Sequence, residues 1–190
     1  VGSGANIRLA TRADAEPIAA LLHDEIEHGV AHLGTEPETE HAVAARFERD
    51  RNSYPWLITE DGTGAFLGFA NASAWNTRGA YAWCVQVSVY LTAGARGQGT
   101  GRALYDRLFA ILEAQGYRSI VAGVSMPNEA SDRLHRSMGM RVVGEHGRIG
   151  RKFGRWIDVR YYEKLLGDPG DAPEPVRSVT DAIARIGSGP

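Results

Sequence analysis

The sequence predicts an α+β fold of three layers, α/β/α, with helices flanking a mixed central sheet. Its 190 residues suit one domain with a sizeable core. Apolar periodicity gives the order strand, two helices, three strands, helix, strand, helix, two strands, which suits helices packed on a mixed sheet. A glycine-rich loop, with Gly94, Gly97, Gly99 and Gly101, falls between the longest strand pattern and the helix after it.

Residues 1–6 are glycine-rich and are expected to be a disordered start. Residues 7–9 read as the first strand. Thr11 to Asp14 is a helix-start signature, and Ile18, Leu21, Leu22 and Ile26 give the following helix its apolar face. A loop through Thr35-Glu36-Pro37 leads to a second helix at 38–49, with Val43 and Phe47 inward. Strands at 56–59 and 65–74 are joined by the Asp61-Gly62 turn. A polar connection, 76–79, enters the long strand 80–91. Leu104, Leu108, Ile111 and Leu112 mark one face of the helix after the glycine loop, and Gly116 stops it. A strand at 119–124, a helix at 129–138 and strands at 141–145 and 158–165 follow, the last two separated by a basic segment, 148–155. The domain is thus expected to span 7–166. Residues 167–190 read as a linker and tail, with one possible short helix at 176–186 and a frayed end at 187–190.

Composition excludes several classes. A net charge of −2 gives no electrostatic case for nucleic acid or an anionic membrane. No apolar run approaches the roughly 20 residues needed to span a bilayer, and no charged-then-apolar leader opens the chain. The single cysteine, Cys84, rules out an internal disulfide, and its strand context makes it a small core residue rather than a nucleophile. A cytoplasmic location is expected. His23, His28, His32, His41 and His146 lack metal-ligand spacing, so no metal site is expected.

The glycine loop carries the chemistry. Missing Cβ atoms let backbone N–H groups close on a ligand, and the start of a helix adds unpaired N–H groups and a positive dipole end. The ligand should carry phosphate. No Lys-Ser or Lys-Thr completes a Walker loop, and the strand at 119–124 lacks the closing acid of a Rossmann unit. Arg96-Gly97-Gln98-Gly99-Thr100-Gly101 resembles instead the pyrophosphate loop of the GCN5-related N-acetyltransferases (GNAT), whose order of elements this chain shares.

A closer resemblance, over residues 7 to about 163, is to the phosphinothricin and methionine-sulfone N-acetyltransferase branch. It rests on Thr35-Glu36-Pro37, Tyr54-Pro55-Trp56-Leu57, Val89-Tyr90, Leu104-Tyr105, Glu113-Ala114-Gln115-Gly116-Tyr117, Pro127-Asn128, Arg133-Leu134-His135 and Gly154-Arg155-Trp156, among others. The resemblance implies acetyl transfer from acetyl-CoA to a small primary amine, in a homodimer. It implies that the backbone at Val89 and Leu91 meets the acetyl and pantetheine groups. Arg96, Gly97, Gln98, Gly99, Thr100 and Gly101 would hold the pyrophosphate, and Asn128 and Ser131 the pantetheine arm. His135, Tyr105 and Gln86 are the implied catalytic positions; Arg78, Asn76 and Val87 those for substrate. An unperturbed imidazole titrates near pH 6.5, so His135 is expected to carry a proton either way at physiological pH.

Three positions depart from the branch. Its strand glutamate, proposed as general base, is Gln86 here, and an amide cannot accept the amine's proton. Its lysine is Asn76, and its arginine before Thr-Glu-Pro is Gly34. Two cations suited to a doubly anionic substrate are gone, while Arg78 can still pair with one carboxylate. The expected substrate is therefore amino-acid-like but not phosphinothricin. Competing readings are acetylation of an antibiotic amine or a protein amino terminus, and an acyl-CoA-binding sensor without catalysis.

Overall fold

A computed structural model describes residues 6–167 and 173–187. The expected disordered start therefore lies outside the described residues except for Asn6, which already belongs to the first strand. Part of the linker, 168–172, and the end of the tail, 188–190, also lie outside them.

The elements are β1 (Asn6–Leu9), α1 (Ala15–His28), α2 (Glu40–Asp50), β2 (Trp56–Glu60), β3 (Phe66–Ala74), β4 (Cys84–Leu91), α3 (Thr100–Gln115), β5 (Ser119–Met126), α4 (Glu129–Ser137), β6 (Arg141–Lys152), β7 (Arg155–Leu165) and α5 (Val179–Gly187). Seven strands form one sheet in the order β1-β2-β3-β4-β5-β7-β6. Only β4 and β5 are parallel, because α3 carries the chain back between them.

Period-two alternation sends side chains to both faces, and each face has its own core. Leu57, Ala70, Val85 and Val87 meet Leu104, Leu108, Ile111 and Leu112 of α3. Trp56, Ile58 and Phe69 meet Ile18 and Leu22 of α1 and Val43 and Phe47 of α2. Each buried leucine or isoleucine contributes about 1.5–3 kcal/mol by leaving water. At the entry to α1, burial alone would raise the Asp14 carboxyl, but hydrogen bonds from Arg8 and from the Thr11 N–H and hydroxyl hold it below the usual range.

Three expectations need correction. The basic segment 148–155 is not a loop: β6 and β7 form a long hairpin whose turn is Phe153-Gly154, with φ of 50° and 75°. Both residues take the positive φ that a two-residue hairpin turn of this twist demands, although phenylalanine is an unusual choice for it. The long strand starts at Cys84 rather than at 80, because residues Gly79–Tyr81 form a 3-10 turn. The tail does not stand apart, since Val179 and Ala182 are buried in the α3-side core. Gln115 Nε2 donates to the carbonyls of Ser53 and Arg177 at 2.9 Å, and Trp83 Nε1 donates to that of Glu174 at 2.9 Å.

Candidate active site

β4 and β5 pair only from Cys84–Ser119 to Gln86–Val121. Beyond those pairs β4 remains on β3 through Leu91, and β5 remains on β7 through Met126, so the two strands diverge. A cleft of about 530 Å³ opens between them. Val87 to Leu91 line one side; Gly123 to Ser125 of β5 and Ser131, Leu134 and His135 of α4 line the other. The glycine loop stands at its head, Tyr105 reaches in from α3, and Glu25 and Ala31 come from the α1 side. The β5-facing edge of Val87 to Leu91 makes no ladder with β5, so its backbone is available to a ligand.

Gly97 and Gly99 have φ of 74° and 84°, which other residues adopt at a cost of roughly 1–2 kcal/mol. A Cβ built on either would meet nothing within 4 Å. The glycines are thus required by backbone conformation, and they front open space. Gly99 directly precedes α3, whose first N–H groups lack intrahelical partners. This arrangement fits the pyrophosphate of acetyl-CoA. Gly101 serves packing as well: its Cβ would lie 3.3 Å from Leu134, so a small residue lets α3 and α4 approach.

His135 is only 3% exposed. Its Nδ1 lies 2.7 Å from the Ser131 carbonyl, an acceptor, so Nδ1 carries the proton and Nε2 is left as an acceptor in the neutral ring. Nε2 faces the Tyr105 hydroxyl at 3.3 Å, and Tyr162 stacks on the ring with centroids 5.0 Å apart. Burial lowers the imidazole pKa, and the Ser131 carbonyl and the Asp132 charge offset this only in part. His135 is therefore neutral at physiological pH, which corrects the expectation that it holds a proton either way. Burial also pushes the Tyr105 phenol well above its ordinary value, so it stays protonated.

The shift has a stability consequence. A histidine whose folded pKa lies below the unfolded value of about 6.5 binds fewer protons when native. Its contribution is present above about pH 6.5 and is lost as pH falls into the window below. His32, lowered chiefly by burial, acts in the same direction. Between about pH 7.5 and 5.5 the melting temperature should fall, and His135→Asn should flatten that slope. An unchanged slope in the variant would assign the acid sensitivity to other groups.

Of the implied site residues, the structure brings His135, Tyr105, Val87, Val89, Leu91, Arg96, Gly97, Gly99, Gly101, Asn128 and Ser131 to one cleft. Asn128 Oδ1 already caps α4 by accepting from the Ser131 N–H at 3.0 Å. Gln98 folds back onto the Gly94 carbonyl at 2.5 Å, and Thr100 is buried in the first turn of α3. Neither lines the cleft. Gln86, Asn76 and Arg78 do not line it either. Gln86 alternates with Val85 and Val87 and so points to the α1 face of the sheet. Arg78 and Asn76 are exposed and joined by a bond from the Arg78 N–H to Asn76 Oδ1 at 3.0 Å.

Sequence reasoning passed over Glu25. It is 8% exposed, lines the cleft and is paired with Arg96, whose Nε also donates to the Leu91 carbonyl at 3.1 Å. A signal was present, since Glu25 falls at i+3 and i+4 from Leu22 and Leu21 on the buried stripe of α1. Ser88 and Ser125 also line the cleft without any motif to mark them.

A family model described as an acetyltransferase (GNAT) domain matches residues 7–160. The phosphinothricin N-acetyltransferase of Streptomyces viridochromogenes is 37% identical over 174 residues, covering 92% of this chain and 94% of that protein. An L-methionine sulfoximine/L-methionine sulfone acetyltransferase of Pseudomonas aeruginosa is 34% identical over 170 residues, covering 89% and 99%. Among solved structures, a phosphinothricin acetyltransferase from Sinorhizobium meliloti in complex with AcCoA superposes with a TM-score of 0.85 at 35% identity, covering 90% of this chain and 93% of that one. This scaffold, shared from the first strand into the last, makes the chain a member of the GNAT acetyltransferase family.

Proposed function

We propose that this chain moves the acetyl group of acetyl-CoA to the primary amine of a small, amino-acid-like substrate by direct attack in the β4–β5 cleft. The observation that carries this reading is the parting of β4 and β5 with the glycine loop at its head and the Tyr105–His135 pair inside. Acetyl-CoA supplies an activated thioester. Gly97 to Gly101 and the first turn of α3 hold its pyrophosphate, while the open edge of Val87 to Leu91 aligns the pantetheine and offers N–H groups to the developing oxyanion. Direct attack suits the side chains present. Cys84 does not line the cleft, and His135 Nδ1 is held by a carbonyl, so it cannot activate Ser131.

The Tyr105 hydroxyl has two uses. In the neutral pair its O–H donates to His135 Nε2, which leaves its oxygen lone pairs to accept from the substrate amine. Rotated, the same hydroxyl donates to the sulfur as negative charge grows there. His135 holds the phenol in place for both.

Although it lies outside the cleft lining, Arg78 is our choice for the substrate carboxylate on the strength of the branch likeness, with Asn76 beside it and Val87 on the cleft wall. Its guanidinium has no hydrogen-bond or ion-pair partner among the described residues, and a carboxylate would satisfy it bidentately. Arg78→Ala should raise KM for amino acids about 10- to 100-fold, as for a lost hydrogen bond between charged groups. KM for matched amines without the carboxylate should change little. Equal losses for both would assign Arg78 to structure and remove the amino-acid preference.

We also read the protein as a cytoplasmic homodimer. Val143, Ile149, Phe153 and Trp156 are exposed along the β6–β7 hairpin, and β6 is an edge strand, a combination that favours association.

A further inference from the structure

We propose that Glu25 is the carboxylate that receives the substrate's ammonium group and takes its proton, a task for which position 86 offers only an amide. The inference rests on the acetyl-transfer reading above. Glu25 is the only carboxylate among the described residues lining the cleft. It comes from the α1 side, the side towards which β4 turns Gln86, Ser88 and Tyr90. A buried acid on an otherwise apolar helix face costs stability unless a partner or a task retains it.

Its placement is tightly built. A Cβ on Gly29 would lie 2.5 Å from Glu25 Oε2, so the backbone leaves room for this carboxylate and little else. Lys152, from the β6–β7 hairpin, donates to the carbonyls of Glu25 at 3.3 Å and His32 at 2.8 Å, fixing the end of α1. The charged and titratable groups facing Glu25 are Arg96 from the loop after β4, Lys152 from β6, His32 from the α1–α2 connection and Tyr90 from β4. Arg96 is the direct partner in the free protein. It is half exposed and adjoins the phosphate loop, so a bound pyrophosphate offers it a competing partner and leaves Glu25 to the ammonium.

The step balances as follows. One of the three protons of the ammonium passes to Glu25, which frees the nitrogen lone pair. That pair forms the C–N bond at the thioester carbonyl carbon, and the C–S pair departs with sulfur. A second nitrogen proton passes to that sulfur, directly or through the Tyr105 hydroxyl. The third remains as the amide N–H, and Glu25 returns its proton to water, so one proton is released per turnover.

The test compares wild type, Glu25→Gln and Gly29→Ala, the last of which displaces the carboxylate without removing it. Three readouts are used. They are the melting shift with acetyl-CoA, kcat/KM against pH with an amine panel that includes L-methionine sulfone, and calorimetric binding of L-methionine sulfone to enzyme saturated with coenzyme A. Glu25→Gln should keep the acetyl-CoA shift, bind the amino acid at least about 10-fold more weakly, and lose about 10²-fold in kcat/KM at pH below the amine's own pKa. The loss should shrink as pH rises and the free amine becomes abundant. Gly29→Ala should show a smaller loss of the same shape, and it keeps the question open to test if Glu25→Gln fails to fold. Unchanged binding and kinetics, or an equal loss at every pH, would overturn the role of Glu25 alone. No turnover by wild type with any amine would overturn the acetyl-transfer reading and this inference with it.

Discussion

Gly99→Val is expected to abolish most of the thermal stabilisation that acetyl-CoA gives the wild-type protein. A ligand that binds only the native state adds about 2.7 kcal/mol at 100-fold saturation, so its loss is easily read. Two effects combine. Valine resists the φ of 84° that Gly99 holds in front of α3, and its side chain would project into the open space that the loop presents. The free variant should remain folded, because the added Cβ meets no protein atom within 4 Å. Gly94→Ala is the matched control: that glycine is exposed, is not held at positive φ and does not line the cleft, so its shift should persist. A folded Gly99→Val protein with an intact shift would move the phosphate site elsewhere.

Tyr105→Phe should lower kcat by about 10²-fold or more while leaving the acetyl-CoA shift intact, the range for loss of a positioned proton donor or acceptor. The ring loses only its oxygen. Its stacking on Phe109, with centroids 5.1 Å apart, and its place in the α3-side core remain. Removal of the hydroxyl leaves His135 Nε2 without a partner, at about 1–3 kcal/mol in stability, so activity must be compared well below the melting temperature. His135→Asn should lose activity as well, because the phenol then lacks the group that orients it. Full activity in Tyr105→Phe would reduce the pair to a packing element.

Most of the architecture could be read from the chain because local signals agreed with the global fold. The alternation in β4 and the leucine face of α3 identify strand and helix unaided, and the run of glycines between them is the reason to expect an anion site there. The β6–β7 hairpin was hidden because its turn uses Phe153-Gly154 where asparagine or aspartate would announce it. The docked tail was hidden because Val179 and Ala182 bury against α3, a tertiary contact that no local pattern encodes. The site divides in the same way. Tyr105 and His135 lie 30 positions apart and were identified by family likeness; their mutual hydrogen bond and the neutral state of the imidazole follow only from packing. Glu25 escaped because its partner, Arg96, is 71 positions distant. Gln86 and Asn76 stand where this chain departs from the branch and Arg78 where it agrees with it, and none of the three lines the cleft.

The most direct measurement mixes the enzyme with acetyl-CoA and a panel of free amino acids, and follows free thiol, N-acetylated product and the intact mass of the protein together. Direct transfer requires thiol and N-acetyl product in equal amounts, with the enzyme itself unmodified. An acetylated enzyme that passes its group to the amine would contradict direct attack, and acetyl-CoA binding without turnover of any amine would contradict catalysis altogether.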